Sequence, residues 1–369
     1  MMWDYSKIKK GSRFMGNKPK YQHVKDTIIA EINAKRLKIG DKLPSEIELQ
    51  EMYNVSRHTI RVALEQLEHE GFIEKEHGLG SFVKLEKKER NKTIGVITTY
   101  MSDYIFPEII RGIESELTKA GYSMLLVNTN NDIQTERKAL KMMLENQVEG
   151  IIVEPTKSSS YNPNIDVYLN IRKQEMPLIS INAKFDEINF PFIGMNDLEA
   201  SYVNTEFLIE NNHEKIGAIL KSDYKQGKER LKGFVKAISD YSLSYSNQDV
   251  VMFTTETRGQ VLMDEVHKLL DRRAITGLVC YNDMIALDVL NLCLAKGIRV
   301  PEDLSIVSFD NSILSMLTSV KITSISHPQI GLGIDAARHM MKMIEDKTYE
   351  FEDIVYPVNL DIKESVKQL

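Results

Sequence analysis

The sequence predicts a multidomain protein. A small winged helix-turn-helix head, α+β but mostly helical, precedes a larger α/β body of two lobes with parallel sheets. Three observations lead there. The first 92 of 369 residues hold 19 Lys and Arg against 14 Asp and Glu, a charge of +5, and the remaining 277 hold 28 against 39, a charge of −11. Helix-start signals crowd residues 45–71, and a glycine turn follows them. From Thr93 onward short continuous apolar runs recur, most of them separated by segments of helical period. A basic head on an acidic body, within a formal net charge of −6, suggests that only the head meets a polyanion.

The opening stretch MMWDYSKIKKGSRFMGNKPK carries cations but no apolar core segment, so it does not read as a signal peptide. Residues 1–19 read as a flexible extension, or as a start placed ahead of a true beginning at Met15. Tyr21, Val24, Ile28 and Ile32 recur at helical spacing and predict a first amphipathic helix over 20–36. Ser45, three residues ahead of Glu48, fits a capping box that opens a short helix with Ile47, Leu49 and Met52 inward. Asn54 and Val55 make a turn. Ser56 then caps a third helix with Ile60, Leu64 and Leu67 as its stripe, and Gly71 suits its stop. FIEKEHGLGSFV reads as two short strands around a glycine turn. Residues 20–84 therefore make three helices and a hairpin, and the charged run that follows reads as a solvated linker over 85–92.

The body spans 93–369. Its strand-like runs are TIGVITTY, YSMLLVNT, VEGIIVEP, PLISIN, PFIGMN, KIGAILKS, VVMFT, TGLVCYND and LSIVSFD. Continuous apolar strands flanked by helices imply parallel sheets covered on both faces. About ten strands exceed one comfortable doubly wound sheet, so two similar lobes facing across a cleft are expected. No apolar run approaches the roughly 20 residues that span a bilayer. Cys280 and Cys293 lie in apolar segments without metal-ligand spacing and read as buried thiols of a reducing cytoplasm. No P-loop, GxSxG or HExxH motif and no GxGxxG spacing is present. The expectation is a protein without catalytic residues, metal or cofactor. A secreted transport receptor would leave the head without purpose.

A recognition helix needs donors on its first exposed turn, because that end enters the major groove of DNA. Arg57, His58, Thr59 and Arg61 supply them, and either arginine can grip guanine O6 and N7. Lys20, Tyr21 and Lys25 stand where phosphate contacts fix orientation. Glu46 either accepts from cytosine N4 or favours the helix dipole. In the hairpin, Gly78 and Gly80 let backbone approach a groove, with His77 beside them. These motifs, LPSEIELQ, VSRHTIRVALEQLEHEGFIE and GLGSFV, resemble the GntR family of winged-helix regulators across residues 20–83. The resemblance implies DNA contacts from Arg57, His58, Thr59, Arg61 and the wing glycines, and often from the position of Glu46.

Ligands of two-lobed α/β folds lie beyond the carboxyl ends of the strands. Those positions hold Tyr100, Asp103, Tyr104 and Phe106, then Asn128, Asn130 and Asn131, then Glu154, Asn182, Asn196 and Asp197. Lys221, Asp223, Asn282, Asp283, Asp310, Asn311 and His327 complete the series. Amides, carboxylates and aromatic rings with few cations suit a neutral sugar, although Asn and Asp after strands also cap helices and make turns. Arg230, in QGKERLKGF, either donates to vicinal hydroxyls or is a solvated helix charge.

The body resembles the lactose/galactose repressor family, whose effector domains are built like periplasmic sugar-binding proteins. The matching stretches include IIRGIESEL, GYSMLLVNT, QGKERLKGF, CYNDMIAL, VPEDLSIVSFD and TSISHP, and they run through nearly all of 93–369. The resemblance implies effector contacts at Arg230 and Asp283 above all, then at Asp310 and His327, and a homodimer formed through this domain. That family's own helix-turn-helix and hinge helix are absent here. A GntR-type head on such a body is similar to the arabinose-repressor family of Gram-positive bacteria, to which TTYMSDYIFPEIIRGIE and EPTKS are especially similar. The implied effector is L-arabinose, and the implied partner is a near-palindromic double-stranded operator controlling arabinose uptake and use.

Overall fold

The computed structural model describes residues 19–34, 36–76, 79–84, 91–101 and 105–369. The expectations placed on residues 1–18, His77, Gly78, 85–90, Asp103 and Tyr104 lie outside the described residues. The chain divides into two compact units between Asn91 and Lys92. Among the described residues no helix is long and apolar enough to cross a membrane.

In the first unit, α1 (Lys20–Asn33), α2 (Glu46–Tyr53) and α3 (Arg57–His69) pack together, and β1 (Ile73–Glu76) pairs with β2 (Gly80–Val83) in an antiparallel hairpin. Local chemistry sets each boundary. Ser45 and Glu48 form the expected capping box on α2, and the Ser56 hydroxyl accepts from the Thr59 backbone N–H to start α3. Asn54 and Gly71, with φ of 51° and 77°, hold the left-handed positions that end α2 and follow α3. Val24, Ile28, Ile32, Ile60, Leu64 and Leu67 meet in one core closed by Ile73 and Val83. Ile47 departs from expectation: it is 62% exposed, whereas Leu49 is buried. Residues two apart lie about 200° apart around a helix, so the buried pair is Leu49 with Tyr53.

The second unit has two six-stranded sheets. The first lobe contains β3 (Thr93–Thr98), α4 (Phe106–Lys119), β4 (Ser123–Asn128), α5 (Ile133–Glu145), β5 (Gly150–Val153), α6 (Ile165–Lys173), β6 (Leu178–Ile181) and β7 (Phe192–Met195). The chain then crosses to the second lobe. This holds α7 (Asp197–Glu210), β8 (Ile216–Lys221), α8 (Lys225–Asp240), β9 (Val250–Phe253), α9 (Gln260–Asp271), β10 (Gly277–Cys280), α10 (Asp283–Ala295), β11 (Ser305–Asp310), α11 (Leu314–Leu317) and β12 (Thr323–Ser326). After β12 it returns as α12 (Gln329–Glu345) and β13 (Ile354–Tyr356), and a third crossing ends in β14 (Leu360–Asp361).

The strand orders are β13-β7-β6-β5-β3-β4 and β14-β12-β11-β10-β8-β9, all parallel except the β14 edge. Every residue of β5, β8 and β10 is buried, as strands covered by helices on both faces require.

The crossing helices are locked by close backbone contact. A Cβ on Gly333 of α12 would lie 2.1 Å from the Ile109 carbonyl oxygen of α4, and one on Gly112 would lie 2.4 Å from that of Ile330. Gly233 of α8 approaches the Leu198 carbonyl of α7 in the same way, at 2.1 Å. Each lobe therefore grips the helix that follows a crossing. Gly333→Ala is expected to destabilise the body by about 1–3 kcal/mol through overpacking, read as a lower denaturant midpoint; an unchanged midpoint would show that α4 and α12 part freely.

Candidate functional site

In the head, the first turn of α3 projects outward, with the Arg57 and Arg61 side chains 62% and 57% exposed. Both are organised by Glu46. Its Oε2 accepts from Arg57 Nε at 2.8 Å and its Oε1 from Arg61 Nε at 3.2 Å. These bonds, the Arg57 one foremost, hold the Glu46 carboxyl below its usual range. Glu46 thus spans α2 and α3 and sets the two guanidinium groups side by side. The sequence did not show this link, because the partners lie 11 and 15 residues apart on separate helices.

His58 is exposed beside them, and the Thr59 hydroxyl shares a 2.8 Å hydrogen bond with that of Ser56. Lys20 is exposed at the start of α1, while Tyr21 packs partly against the core. Lys25 is engaged by Glu70 at 2.8 Å, which ties α1 to the end of α3. Gly80 adopts φ of 116°, a backbone that L side chains rarely take, so the turn itself requires glycine there.

In the body, a cavity of about 400 Å3 opens between the lobes. Its wall includes Tyr100, Phe106, Glu154, Asn182, Asp197, Lys221, Arg230, Asn282, Asp310 and His327, brought together from six strand ends, two crossings and α8. Arg230 is the best-held of them. Its Nε donates to Asp197 Oδ1 at 2.8 Å, its Nη1 donates to the Tyr281 carbonyl, and its Nη2 lies 3.8 Å from Asp310 Oδ1. Its plane also lies over Phe309 and Tyr281, at 4.1 and 4.9 Å from the ring centroids. Although burial opposes its charge, Asp197 and Asp310 raise its pKa, so the guanidinium stays cationic. Lys221 Nζ sits 3.9 Å from the Tyr224 centroid and 5.6 Å from that of Tyr100.

A relay of donors also runs through the wall. Glu154 Oε2 accepts from the Thr99 N–H at 3.1 Å and from the Thr99 hydroxyl, and Oε1 accepts from Asn182 Nδ2 at 3.1 Å. Asn182 Oδ1 in turn pairs with His327 Nε2 at 3.1 Å. An amide oxygen only accepts, so His327 Nε2 carries the proton and Nδ1 keeps a lone pair. That Nδ1 and the Gln226 Oε1 are buried and have no hydrogen-bond partner among the described residues. Both are acceptors lodged in the cavity wall.

Asp283, which the resemblance marks as a leading effector contact, lies outside the cavity wall and is fully buried. Its carboxylate accepts from the Ser312 N–H at 2.7 Å, the Ser312 hydroxyl at 2.9 Å and the Ser324 hydroxyl at 2.8 Å. It pins α10 to the ends of β11 and β12, and burial, with Asp310 nearby, pushes its carboxyl up to about 6. Asn282 lines the cavity and also caps α10, accepting from the Ile285 N–H at 3.0 Å. Asn196 caps α7, and Asn311 is bonded among Ser326, Asp361 and Lys363.

Residues that sequence reasoning missed include Thr99, Tyr224, Gln226, Thr255 and Tyr281. Thr99 and Tyr281 directly follow the apolar runs of β3 and β10, so the rule that chose their neighbours Tyr100 and Asn282 reaches them too. Among the described residues no group of His, Cys, Asp and Glu is placed to hold a metal ion.

Burial first, and then Arg230, hold His327 down to about 4 against the pull of Asp310. The unfolded chain takes up this proton near pH 6.5 and the folded chain only near 4, so the contribution of His327 to stability is lost as pH falls through that window. The imidazole nitrogen resonances of His327 should stay those of the neutral ring from about pH 8 to about pH 5.5. A titration centred near 6.5 would contradict its burial in this wall.

Comparison with known proteins places both units. Residues 20–83 match the gntR family of bacterial regulatory proteins, and residues 205–366 match the periplasmic binding protein-like domain. The chain is 40% identical over 363 residues to the arabinose metabolism transcriptional repressor of Halalkalibacterium halodurans, covering 95% of this chain and 97% of that one. It is 37% identical over 358 residues to the repressor of the same name from Geobacillus stearothermophilus, covering 95% and 98%. Among solved structures, the transcription regulator CcpA of Lactococcus lactis superposes with a TM-score of 0.67 at 26% identity, over 75% of this chain and 100% of that one. A GntR-type winged-helix head on a periplasmic-binding-protein-like body, at this identity over nearly the whole length, means that the chain belongs to the family of arabinose metabolism transcriptional repressors.

Proposed function

We propose that the protein holds a near-palindromic operator as a homodimer and is released from it by L-arabinose, so that it controls genes for arabinose uptake and use. Residues 20–84 read the DNA, 85–92 link, and 93–369 bind the sugar and dimerise. Within the head, Arg57 and Arg61 grip base edges, His58 and Thr59 add contacts, Lys20 and Tyr21 meet phosphate, and the wing around His77, Gly78 and Gly80 enters a groove. In the body, Tyr100, Asp103, Tyr104 and Phe106 contact the sugar, as do Arg230, Asp310 and His327.

The observation that carries the reading is the cavity's charge balance. Among the described residues of its wall, three carboxyl groups (Glu154, Asp197 and Asp310) stand against three cations (Lys221, Arg230 and Arg258), beside three amides, two threonine hydroxyls and several aromatic rings. Such a wall offers donors, acceptors and ring faces without a surplus of either sign, which suits a neutral polyol better than an anion. Its volume falls within the roughly 300–1,000 Å3 usual for small-molecule sites. The names of two relatives supply the arabinose assignment.

A sugar moves the DNA equilibrium only through unequal affinity for the two states. A swing from 1:99 to 99:1 takes about 5.5 kcal/mol, shared here between two sugars per dimer. Gel-shift titration of fragments upstream of arabinose-use genes tests this, with L-arabinose, D-xylose and D-galactose as separate arms. Release by L-arabinose at least tenfold beyond the other two is expected. Unchanged affinity with every sugar removes the mechanism, and release by another sugar alone reassigns the effector.

Arg61→Ala should weaken operator binding about five- to 150-fold, the equivalent of ~1–3 kcal/mol. Sugar binding by calorimetry should be unaltered, and a lost sugar affinity would contradict the separation of tasks.

A further inference from the structure

Residues 156–164 of the first lobe, between β5 and α6, reach across to the second. The Ser158 hydroxyl oxygen accepts from the backbone N–H of Lys225, the first residue of α8, at 3.0 Å. The residue at the N-cap of α8 itself, Tyr224, makes no side-chain cap bond. A helix of one lobe is thus capped by a serine of the other, and that helix carries Gln226 and Arg230 of the cavity. Next to it, the Ser159 hydroxyl donates to the Ser222 carbonyl at 2.6 Å, and the Ser159 carbonyl accepts from Lys228 Nζ at 2.6 Å. Asn131 Nδ2 donates to Asp223 Oδ2 at 3.0 Å and to Thr255 Oγ1 at 2.7 Å, while its Oδ1 accepts from the Lys157 N–H at 2.8 Å. The Lys157 ammonium pairs with Glu256.

The shape of this segment is fixed from behind. Glu136 of α5 is fully buried and accepts from the Thr156 N–H at 2.9 Å, Asn162 Nδ2 at 3.0 Å, Asn164 Nδ2 at 2.8 Å and the Tyr168 hydroxyl at 3.1 Å. A carboxylate removed from water is tolerable only while such donors surround it, so the segment cannot reshape without stranding the charge. Ser158, Ser159 and Glu136 lie outside the cavity wall.

We propose that residues 156–164 are a latch that holds the lobes together independently of any effector, with Ser158 as the trans-lobe cap of α8 and Glu136 as the positioning residue that keeps the latch preshaped. Separation of the lobes uncaps α8 and loosens the turn that presents Gln226. A bound guest is therefore retained longer when the latch is intact, because apparent affinity scales with the fraction of molecules already closed. The effect on sugar rests on the reading of the cavity given above; the effect on the lobes does not.

The test uses the full chain, spin-labelled through cysteines placed at exposed Leu169 of α6 and exposed Val261 of α9. Pulsed electron resonance then reads the distance between the lobes. Without sugar, Ser158→Ala and Glu136→Gln should each shift the distribution toward longer distances, and Ser158→Thr, which keeps the capping oxygen, should restore the wild-type profile. In calorimetry Ser158→Ala should bind L-arabinose about fivefold more weakly, the equivalent of one helix cap at ~1 kcal/mol, through faster release. A Ser158→Ala chain with the wild-type distance distribution overturns the latch, whatever the sugar does. A wild-type chain that binds no L-arabinose overturns the effector reading instead, and the distances still decide the latch. Should Glu136→Gln fail to fold, the Ser158 pair decides alone.

Discussion

A guanidinium taken out of water must be given counter-charges by the fold, and Arg230 is where the body meets that demand. Arginine does not shed its proton, so the cost of burying it falls on geometry. Asp197 comes from the first residue after a lobe crossing, Asp310 from the end of β11, and the Tyr281 carbonyl from the end of β10. One side chain on α8 therefore ties a crossing and two strand ends to a single point. The approach of α8 to β8 makes this possible. A Cβ on Gly227 would fall 1.7 Å from the Lys221 carbonyl oxygen, so only glycine lets α8 begin so close to the strand and aim Gln226 and Arg230 at the cleft.

Elsewhere in the cavity wall the logic is hydrogen-bond polarity. Thr99 and Asn182 donate to Glu154, and His327 donates to Asn182, so each link fixes the direction of the next. The end of that relay is a neutral imidazole with an acceptor lone pair, and burial keeps it neutral. Together with the donors of Arg230, it gives the cavity an acceptor as well as donors, the complement that a ring of hydroxyl groups needs. The head is organised by a parallel device at its surface, where one carboxylate, Glu46, aligns two arginines that would otherwise be independent long side chains.

What the sequence revealed follows from range. Ser45, Ser56 and Gly71 act within one turn of chain, and the head's boundaries were legible from them. The failure at Ile47 was one of phase, since it and Leu49 cannot share a helix face. The body's long apolar strands were legible from continuous burial, whereas β13 and β14, of three and two residues, are too short to leave a pattern. Strand ends led to Glu154, Asp197, Lys221 and His327 on one cavity wall. They could not show that Asp283 turns into serine hydroxyls while its neighbour Asn282 faces the opening, because that depends on where β11 and β12 bring Ser312 and Ser324. Long-range partners such as Glu46 with Arg57, or Ser158 with Lys225, have no local signature at all.

We propose that the body's cavity, with Arg230 already matched by carboxylates, admits a neutral hydroxyl-rich guest and rejects an anionic one. Calorimetric titration of the full chain with L-arabinose, set against a pentose 5-phosphate, tests it most directly. Saturable binding of one L-arabinose per chain is expected, with far weaker binding of the phosphate. Tighter binding of the phosphate, or no heat from L-arabinose at any concentration, would contradict it.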